Sequence, residues 1–489
     1  MMDLVVTKKN EVFVKVECED GLARELSEYF SFYVPGFQFT PQFKRKLWDG
    51  KIRLFDSRSH LLYHGLVSYL TKFCETHSYT YHLDTLVLLS ENWSLQEAKL
   101  FVESLELPKQ IQLRDYQLTT LVQAVRHRRQ LIVSPTGSGK SLILYCLVRY
   151  FLQRDLSKVL IIVPTTSLVE QLTSDFQLYG WDVDHYVHKQ YAGKDKVTTR
   201  PVTITTWQSI YQFPATYFEQ FDAVLGDECH LFKAKSLQSI MTNLTRTLFR
   251  IGTTGTLDGT KTHRLVLEGV FGPVFEATNT KELIESETLA DIRIKSLILK
   301  YDAATCTASR KLTYHEELDF IVQHQARNRF IANLALSLKG NTLILYQFVD
   351  KHGEVLYNLI KKLADDVCPV SFVHGGVDAD DREVIRNCVN ESDRAIVLGS
   401  YGTFSLGINI PNLHNVIFAS PSKSRIRVLQ SIGRGLRRTD DKSTMTLYDI
   451  ADDLRTGKSL NYLLEHYLER TKLYDEQEFQ YQQYYIDVG

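Results

Sequence analysis

Residues 129–152, RQLIVSPTGSGKSLILYCLVRYFL, run from a short apolar stretch through a glycine-rich turn into a long segment with helical spacing. The same order returns in KVLIIVPTTSLVEQLTSDF (158–176), and PVTITTWQSI (201–210), FDAVLGDECH (221–230) and FRIGTTGT (249–256) add further short apolar runs. Runs of this length, bounded by Gly, Pro and polar residues and alternating with helical patterns, predict a parallel sheet covered by helices on both faces. A second series follows in NTLILYQFVD (341–350), PVSFVHGG (369–376), RAIVLGSY (394–401), HNVIFASP (414–421) and STMTLYDIAD (443–452). The ends differ. EVFVKVEC (11–18) alternates like a half-buried strand, and LLYHGLVSYLTKFCETH (61–77) has helical spacing. LELPKQIQL (105–113) carries a proline and reads as a connector. The tail from Asn461 to Gly489 reads as a helix rich in Tyr and Glu, with Tyr474, Tyr481, Tyr484 and Tyr485 forming an aromatic face that packs on the second unit. The expected class is therefore α/β: two tandem parallel-sheet domains at 109–288 and 289–458, a small N-terminal α+β domain at 1–108, and a C-terminal helical extension at 459–489.

Composition narrows the class of partner. The 489 residues are 44% hydrophobic and 24% charged, ordinary for a soluble globular protein. A net charge of -1 leaves no global field to draw nucleic acid, so any such attraction must come from local patches. The 7 cysteines are dispersed with no CxxC pair, which suggests reduced thiols in a cytoplasm. The N-terminus has no signal-peptide pattern and no apolar run approaches membrane-spanning length, so the expectation is a cytoplasmic protein with no membrane partner.

Two motifs carry chemistry. SPTGSGKS (134–141) lies between strand and helix, the setting a P-loop requires. Thr136, Gly137, Ser138 and Gly139 would turn backbone N–H groups toward an anion at a helix N-terminus. Lys140 would reach the β- and γ-phosphates of ATP, and Ser141 would offer its hydroxyl to Mg²⁺. Ser134 stands where the strict pattern has its first glycine. GDECH (226–230) contains four potential zinc ligands, but no second Cys/His cluster at ligand spacing accompanies it. An acidic pair at the end of an apolar strand downstream of a P-loop instead suits Asp227 as a Mg²⁺ ligand and Glu228 as the group that activates water. Cys229 is then a spacer, and His230 a contact between the nucleotide site and the motor surface.

The P-loop, DECH and QSIGRGLR, in that order, resemble the superfamily 2 helicases of the DExH type over about 110–455. The resemblance implies RecA-like domains. It makes LRDYQ (113–117) the adenine-reading segment, with Gln117 on the base and Arg114 nearby. PTTSLVEQ with Thr165 and Thr166, and TTWQS with Thr205 and Trp207, become strand-gripping motifs, and TGT (254–256) links hydrolysis to strand movement. In the second domain it implies strand contacts from LILYQFVD, from His374 and Gly375 of VHGG, and from Thr403. Gly407 and Asn409 would face nucleotide and nucleic acid together; the family carries Asp where this chain has Asn409. QSIGRGLR supplies Gln430 and the candidate arginine fingers Arg434 and Arg437. One domain thus has the P-loop and the other the arginines, so hydrolysis would require them to close on ATP.

FKRKLWDGKIRLFDSR (43–58) has six Lys/Arg against two Asp, with Trp48 and two Phe interleaved. Lys44, Arg45, Lys46 and Trp48 are therefore candidate nucleic-acid contacts, against the alternative of a solvated strand face. A second basic run, Lys423 to Arg438, overlaps the arginine motif. FSFYVPGFQFTPQFKRKLWDGKIRLFD and LLEHYLERTKLYDEQEF extend the likeness across nearly the whole chain, to the UvsW-type helicases of T4-like and related tailed phages. That implies an ATP-driven DNA helicase acting on forks, Holliday junctions and D-loops in recombination and repair, extending to RNA–DNA hybrids, and working in a host cytoplasm. The residues alone stop at a nucleic-acid motor; an RNA helicase, a restriction-type translocase and a clamp that hydrolyses ATP without separating strands all stay open.

Overall fold

The computed structural model describes residues 2–191, 199–232, 234–257, 261–365, 368–405, 410, 412–422, 424–436, 442–457 and 459–488. These form two compact units, 1–134 with 139–278, and 279–489 with 135–138. Among the described residues the first unit opens with seven short strands: β1 (Leu4–Lys8), β2 (Phe13–Cys18), β3 (Ser31–Tyr33), β4 (Lys51–Arg53), β5 (Phe55–Asp56), β6 (Leu61–Tyr63) and β7 (Tyr81–Leu83). Five make a sheet in the order β5-β6-β2-β1-β7, while β3 and β4 form a separate antiparallel ribbon. The β1–β2 hairpin is closed by Asn10, whose Oδ1 accepts from the N–H groups of Val12 and Phe13. Alternation along β2 buries Val14 and Val16 against Leu22 and Leu26 of one helix and Leu70 and Phe73 of another.

The segment expected to be helical from Leu61 starts its α-helix only at Val67. Leu61–Tyr63 pairs antiparallel with β2, Leu62 opposite Val14, because strand pleat buries Leu62 fully while its neighbours stay half-exposed. The connector 105–113 runs between the helices Leu95–Ser104 and Asp115–His127.

The first parallel sheet holds β8 (Arg129–Val133), β9 (Val159–Val163), β10 (Val187–Gln190), β11 (Val202–Thr206), β12 (Ala223–Gly226), β13 (Phe249–Thr254) and β14 (Val274–Glu276). Every pairing is parallel, in the order β10-β11-β9-β12-β13-β8-β14. All five expected strands are present; β10 and β14 are added at the two edges. The consequence for function lies in the order: β12, β13 and β8 are neighbours, so the loops at their carboxyl ends lie side by side. The N-terminal sheet is fastened to this body. Leu265 and Val266, from the helix Lys261–Phe271, enter the N-terminal core, and Arg129 Nη2 meets Glu11 Oε2 at 2.6 Å.

The second unit repeats the architecture with β15 (Asp291–Lys300), β16 (Thr342–Tyr346), β17 (Val370–Val373), β18 (Ile396–Ser400), β19 (Asn415–Phe418), β20 (Thr444–Asp453) and β21 (Tyr481–Asp487), all parallel, in the order β17-β18-β16-β19-β20-β15-β21. The tail makes the expected helix at Tyr462–Glu476, whose first N–H groups are met by the Glu317 carboxylate at Leu463 (2.8 Å) and Tyr462 (3.2 Å). It does not continue to the end. Glu478 turns left-handed (φ 55°), the Phe479 N–H closes onto the Tyr474 carbonyl, and the chain becomes the edge strand β21 beside β15. Tyr474 is buried on the helix as expected, whereas Tyr481, Tyr484 and Tyr485 belong to the strand, with Tyr485 exposed beneath the Lys300 ammonium.

Candidate nucleotide and nucleic-acid site

The loop 134–141 leaves β8 and enters the helix Lys140–Gln153. Gly137 and Gly139 take the positive φ angles, 87° and 78°, that let the loop curl. Ser134 donates its N–H to the Thr254 carbonyl, joining the loop to the end of β13. Lys140 is buried, its Nζ 3.1 Å from the Ser134 carbonyl and 3.8 Å from Glu228 Oε1. Gln117 stands against the loop: a Cβ built on Gly139 would come within 2.4 Å of its Nε2. Gln117 Oε1 accepts from the Arg114 N–H at 2.8 Å, which orients the amide. Arg114 itself is exposed. Gly139→Ala therefore meets both a strained φ and a steric clash, and is expected to weaken nucleotide binding about 10-fold, from roughly 1–2 kcal/mol of backbone strain. Equilibrium binding of a fluorescent ADP checks this.

Asp227 and Glu228 follow β12 directly. Asp227 Oδ1 accepts from Thr253 Oγ1 at 2.6 Å and from the Glu228 N–H at 2.9 Å. Burial, then the adjacent Glu228 carboxylate, hold the Asp227 carboxyl above the usual range, and Lys140 opposes them. Glu228 is itself left-handed at φ 48°, a conformation costly for a residue with a side chain and typical of functional turns. Its Oε2 lies 3.4 Å from the Gly255 N–H and 3.4 Å from His230 Nδ1. His230 is buried and its Nδ1 pairs with Thr254 Oγ1 at 2.6 Å, so DECH and TGT are joined through one imidazole.

Cys229 turns the other way. Its thiol donates to the Gly226 carbonyl within a core shared with Phe271, and burial pushes the thiol pKa well up. A Cβ on Gly226 or Gly252 would press on Cys229 Sγ and the Phe271 ring at 2.8–3.0 Å, which explains glycine in both strands. Among the described residues no three His, Cys, Asp or Glu groups converge as metal ligands.

The expected strand-gripping residues divide by exposure. Thr165 caps the helix Thr166–Leu178 and Thr166 is exposed at its first turn. Thr205 is fully buried and its hydroxyl donates to the Gln190 carbonyl at 2.7 Å. It lies in an interior strand buried on both faces, where alternation no longer marks an outward side. Trp207 is half-buried, while the neighbouring Gln208 is exposed and reaches the Pro164 carbonyl at 3.1 Å, tying the two motifs together. Lys44, Arg45 and Lys46 are exposed, with no ion pair among the described residues; Trp48 is half-buried and donates to the Lys51 carbonyl.

In the second unit Gly375 is exposed and unobstructed, and the His374 ring accepts at Nδ1 from the Gly376 N–H. Arg382, not singled out in the sequence, bonds the carbonyls of His374 and Gly375 and shapes that turn. Thr403 is nearly buried with its hydroxyl paired to Ser400 Oγ. Gln430 is buried in the helix Arg425–Gly435. Gly407, Asn409, Arg437 and the side chain of Arg434 lie outside the described residues. Tyr179 was missed: its hydroxyl pairs with Ser141 Oγ at 2.8 Å, and nothing in DFQLYGW signals it.

Two all-parallel sheets, one bearing a P-loop after β8 and an acidic pair after β12 with only β13 between them, define the motor of a superfamily 2 helicase. Comparison with known proteins refines this. Residues 3–84 match the family "DNA helicase UvsW, N-terminal", 110–259 match "Type III restriction enzyme, res subunit", and 326–439 match "Helicase conserved C-terminal domain". The sequence is 34% identical to the ATP-dependent DNA helicase uvsW of Enterobacteria phage T4, over 98% of this chain and 99% of that protein. The crystal structure of T4 UvsW aligns over 100% of both chains at 32% identity with a TM-score of 0.54. The DNA 3'-5' translocase XPB2 of Sulfurisphaera tokodaii is 23% identical over 70% of this chain and 83% of its own. The chain belongs to the UvsW family of DNA helicases.

Proposed function

We propose that the chain hydrolyses ATP at the Lys140–Glu228 cluster and uses the cycle to unwind or branch-migrate forked and four-way DNA in recombination and repair. It is an ATP-dependent DNA helicase of its family. No helix among the described residues is long and apolar enough to cross a membrane.

The observation that carries the ATPase assignment is the 3.8 Å approach of Lys140 Nζ to Glu228 Oε1 under a curled P-loop. Lys140 exchanges its Ser134 carbonyl contact for phosphate oxygens when nucleotide enters. Glu228, aimed by its left-handed backbone, orients the attacking water and takes its proton. The Gln117 amide, set by the Arg114 N–H, reads the base. His230 and Thr254 carry a change at Glu228 into TGT. Ser141 and Asp227 offer hard oxygen donors, and two adjacent carboxylates facing one lysine leave negative charge for a dication, so the residues fit Mg²⁺. When bound, Mg²⁺ neutralises charge developing on the transferred phosphoryl group. By the family resemblance, Gln430, Arg434 and Arg437 are the further residues proposed to take part in turnover.

Branched DNA is recognised by the loop 34–50 between β3 and β4. There Phe39 is 80% and Leu47 75% exposed beside Lys44, Arg45 and Lys46, while Lys51 sits over the exposed Tyr33 ring. Apolar surface that water would otherwise contact, beside positive charge, suits unpaired bases at a junction. Changing Lys44, Arg45 and Lys46 together to Ala is expected to weaken four-way-junction binding more than it lowers DNA-independent ATP turnover. The salt dependence, log K against log[salt], should fall by roughly 2–3 in slope. Unchanged junction affinity by fluorescence anisotropy returns this loop to a solvated face.

The deciding experiment compares ATP turnover with a four-way junction, single-stranded DNA, linear duplex and matched RNA, alongside strand separation of the junction. The strongest stimulation by the junction, with separated products, supports the assignment. Stimulation by RNA alone, or turnover without separated strands, overturns it.

A further inference from the structure

Ser141 does not stand alone at the mouth of its helix. Its Oγ is 2.8 Å from the hydroxyl of Tyr179, a residue on neither sequence motif. We propose that Tyr179 is a positioning residue that sets the Ser141 hydroxyl for the divalent cation accompanying the nucleotide. The proposal rests on the ATP-site assignment above.

A serine hydroxyl that binds a cation does so through an oxygen lone pair, so its proton must be directed elsewhere. Tyr179 Oη is placed to accept that proton, since either oxygen of the pair can be the donor. Partners of this kind fix the rotamer of a metal-binding group and influence affinity more than one ordinary hydrogen bond would.

The tyrosine is held in place from several sides. It closes the helix Thr166–Leu178, its N–H donating to the Asp175 carbonyl at 3.0 Å. Gly180 follows at φ 88° and reverses the chain into Trp181. The Tyr179 ring meets the edge of Tyr145 at 5.3 Å, and Tyr145 lies one turn beyond Ser141 on the same helix. Tyr145 is fully buried and also touches Phe176 at 5.4 Å and Trp181 at 5.9 Å. Swinging Tyr179 away from Ser141 would therefore break an aromatic cluster, so the hydroxyl pair persists with packing to support it.

The test is equilibrium binding of a fluorescent ADP analogue to the full chain, in excess Mg²⁺ and in EDTA. The quantity read is the gain in affinity that Mg²⁺ confers. Tyr179→Phe keeps the ring and removes only the hydroxyl; it is expected to reduce that gain about 10-fold and leave affinity in EDTA unchanged. Ser141→Ala should also lose the gain, and adding Tyr179→Phe to it should cost nothing more, since the two act as one unit. An intact or enlarged Mg²⁺ gain in Tyr179→Phe overturns the proposal. So does an equal loss in EDTA, which marks a packing role, or losses that add in the double variant. Lys140→Ala separates the two levels. If it binds nucleotide like the unaltered chain, the ATP-site assignment fails and the proposal with it; if it loses binding while Tyr179→Phe keeps the full gain, only the proposal falls.

Discussion

Lys140→Ala and Glu228→Gln are each expected to abolish ATP turnover while leaving DNA binding in place. Lys140 is buried at the start of its helix with its ammonium between the Ser134 carbonyl and Glu228, the position from which it would reach the phosphates. Removing one preorganised donor to developing negative charge costs about 10²–10³ in turnover. Glu228→Gln is nearly isosteric, retains contact with the Gly255 N–H, and removes only the capacity to accept a proton. Its expected loss is roughly 10²–10⁴. Lys44, Arg45 and Lys46 lie in the N-terminal segment between β3 and β4, outside the Lys140–Glu228 cluster, so anisotropy with a four-way junction should change little in either variant. Retained turnover in both variants would remove the ATP site from this cluster.

Asp449→Ala is expected to destabilise the second unit strongly. Asp449 is fully buried on β20 and faces Arg470 of the tail helix, with Arg470 Nη2 at 2.8 Å and the Tyr474 hydroxyl at 2.8 Å. Arg470 also donates to the carbonyls of Ser422 and Ile450. Losing the carboxylate strands a guanidinium without its counter-charge, at about 3–5 kcal/mol. At about 2–4 °C per kcal/mol for a unit of this size, thermal unfolding should move down by roughly 10 °C. Glu476→Ala removes the ion pair between the same helix and Arg425, but that pair is exposed and should contribute under about 1 kcal/mol. Equal effects from the two changes in a calorimetric melt would refute the assignment of Asp449 as the anchor of the tail.

Much of the motor could be read from local pattern. A three-residue apolar run, Leu131 to Val133, followed by glycines at 137 and 139 and a lysine specifies strand, loop and helix within one short stretch, because the forces involved act between near neighbours. The acidic pair at 227 and 228 follows an apolar strand in the same local way. The failures share a cause as well. β21, YQQYYID, has no apolar run, since an edge strand exposes most of its side chains, and its Gln and Glu neighbours read as helix. β15, DIRIKSLILK, alternates at its start, a strand signal that lies outside both series of apolar runs. Thr205 and Thr403 look like polar surface residues until burial is known.

By itself the sequence determined the class of protein: two parallel-sheet units, a P-loop with its acidic partner, and a family whose members work on DNA. Those properties reside in spacing along the chain. Only the tertiary structure decided which strand ends meet, and therefore that Lys140 faces Glu228, that His230 joins Thr254, and that Tyr179 reaches Ser141. Each of these contacts joins residues brought together by the β12-β13-β8 order or by helix packing. Sheet order depends on the summed burial of whole elements, so no local run of residues encodes it.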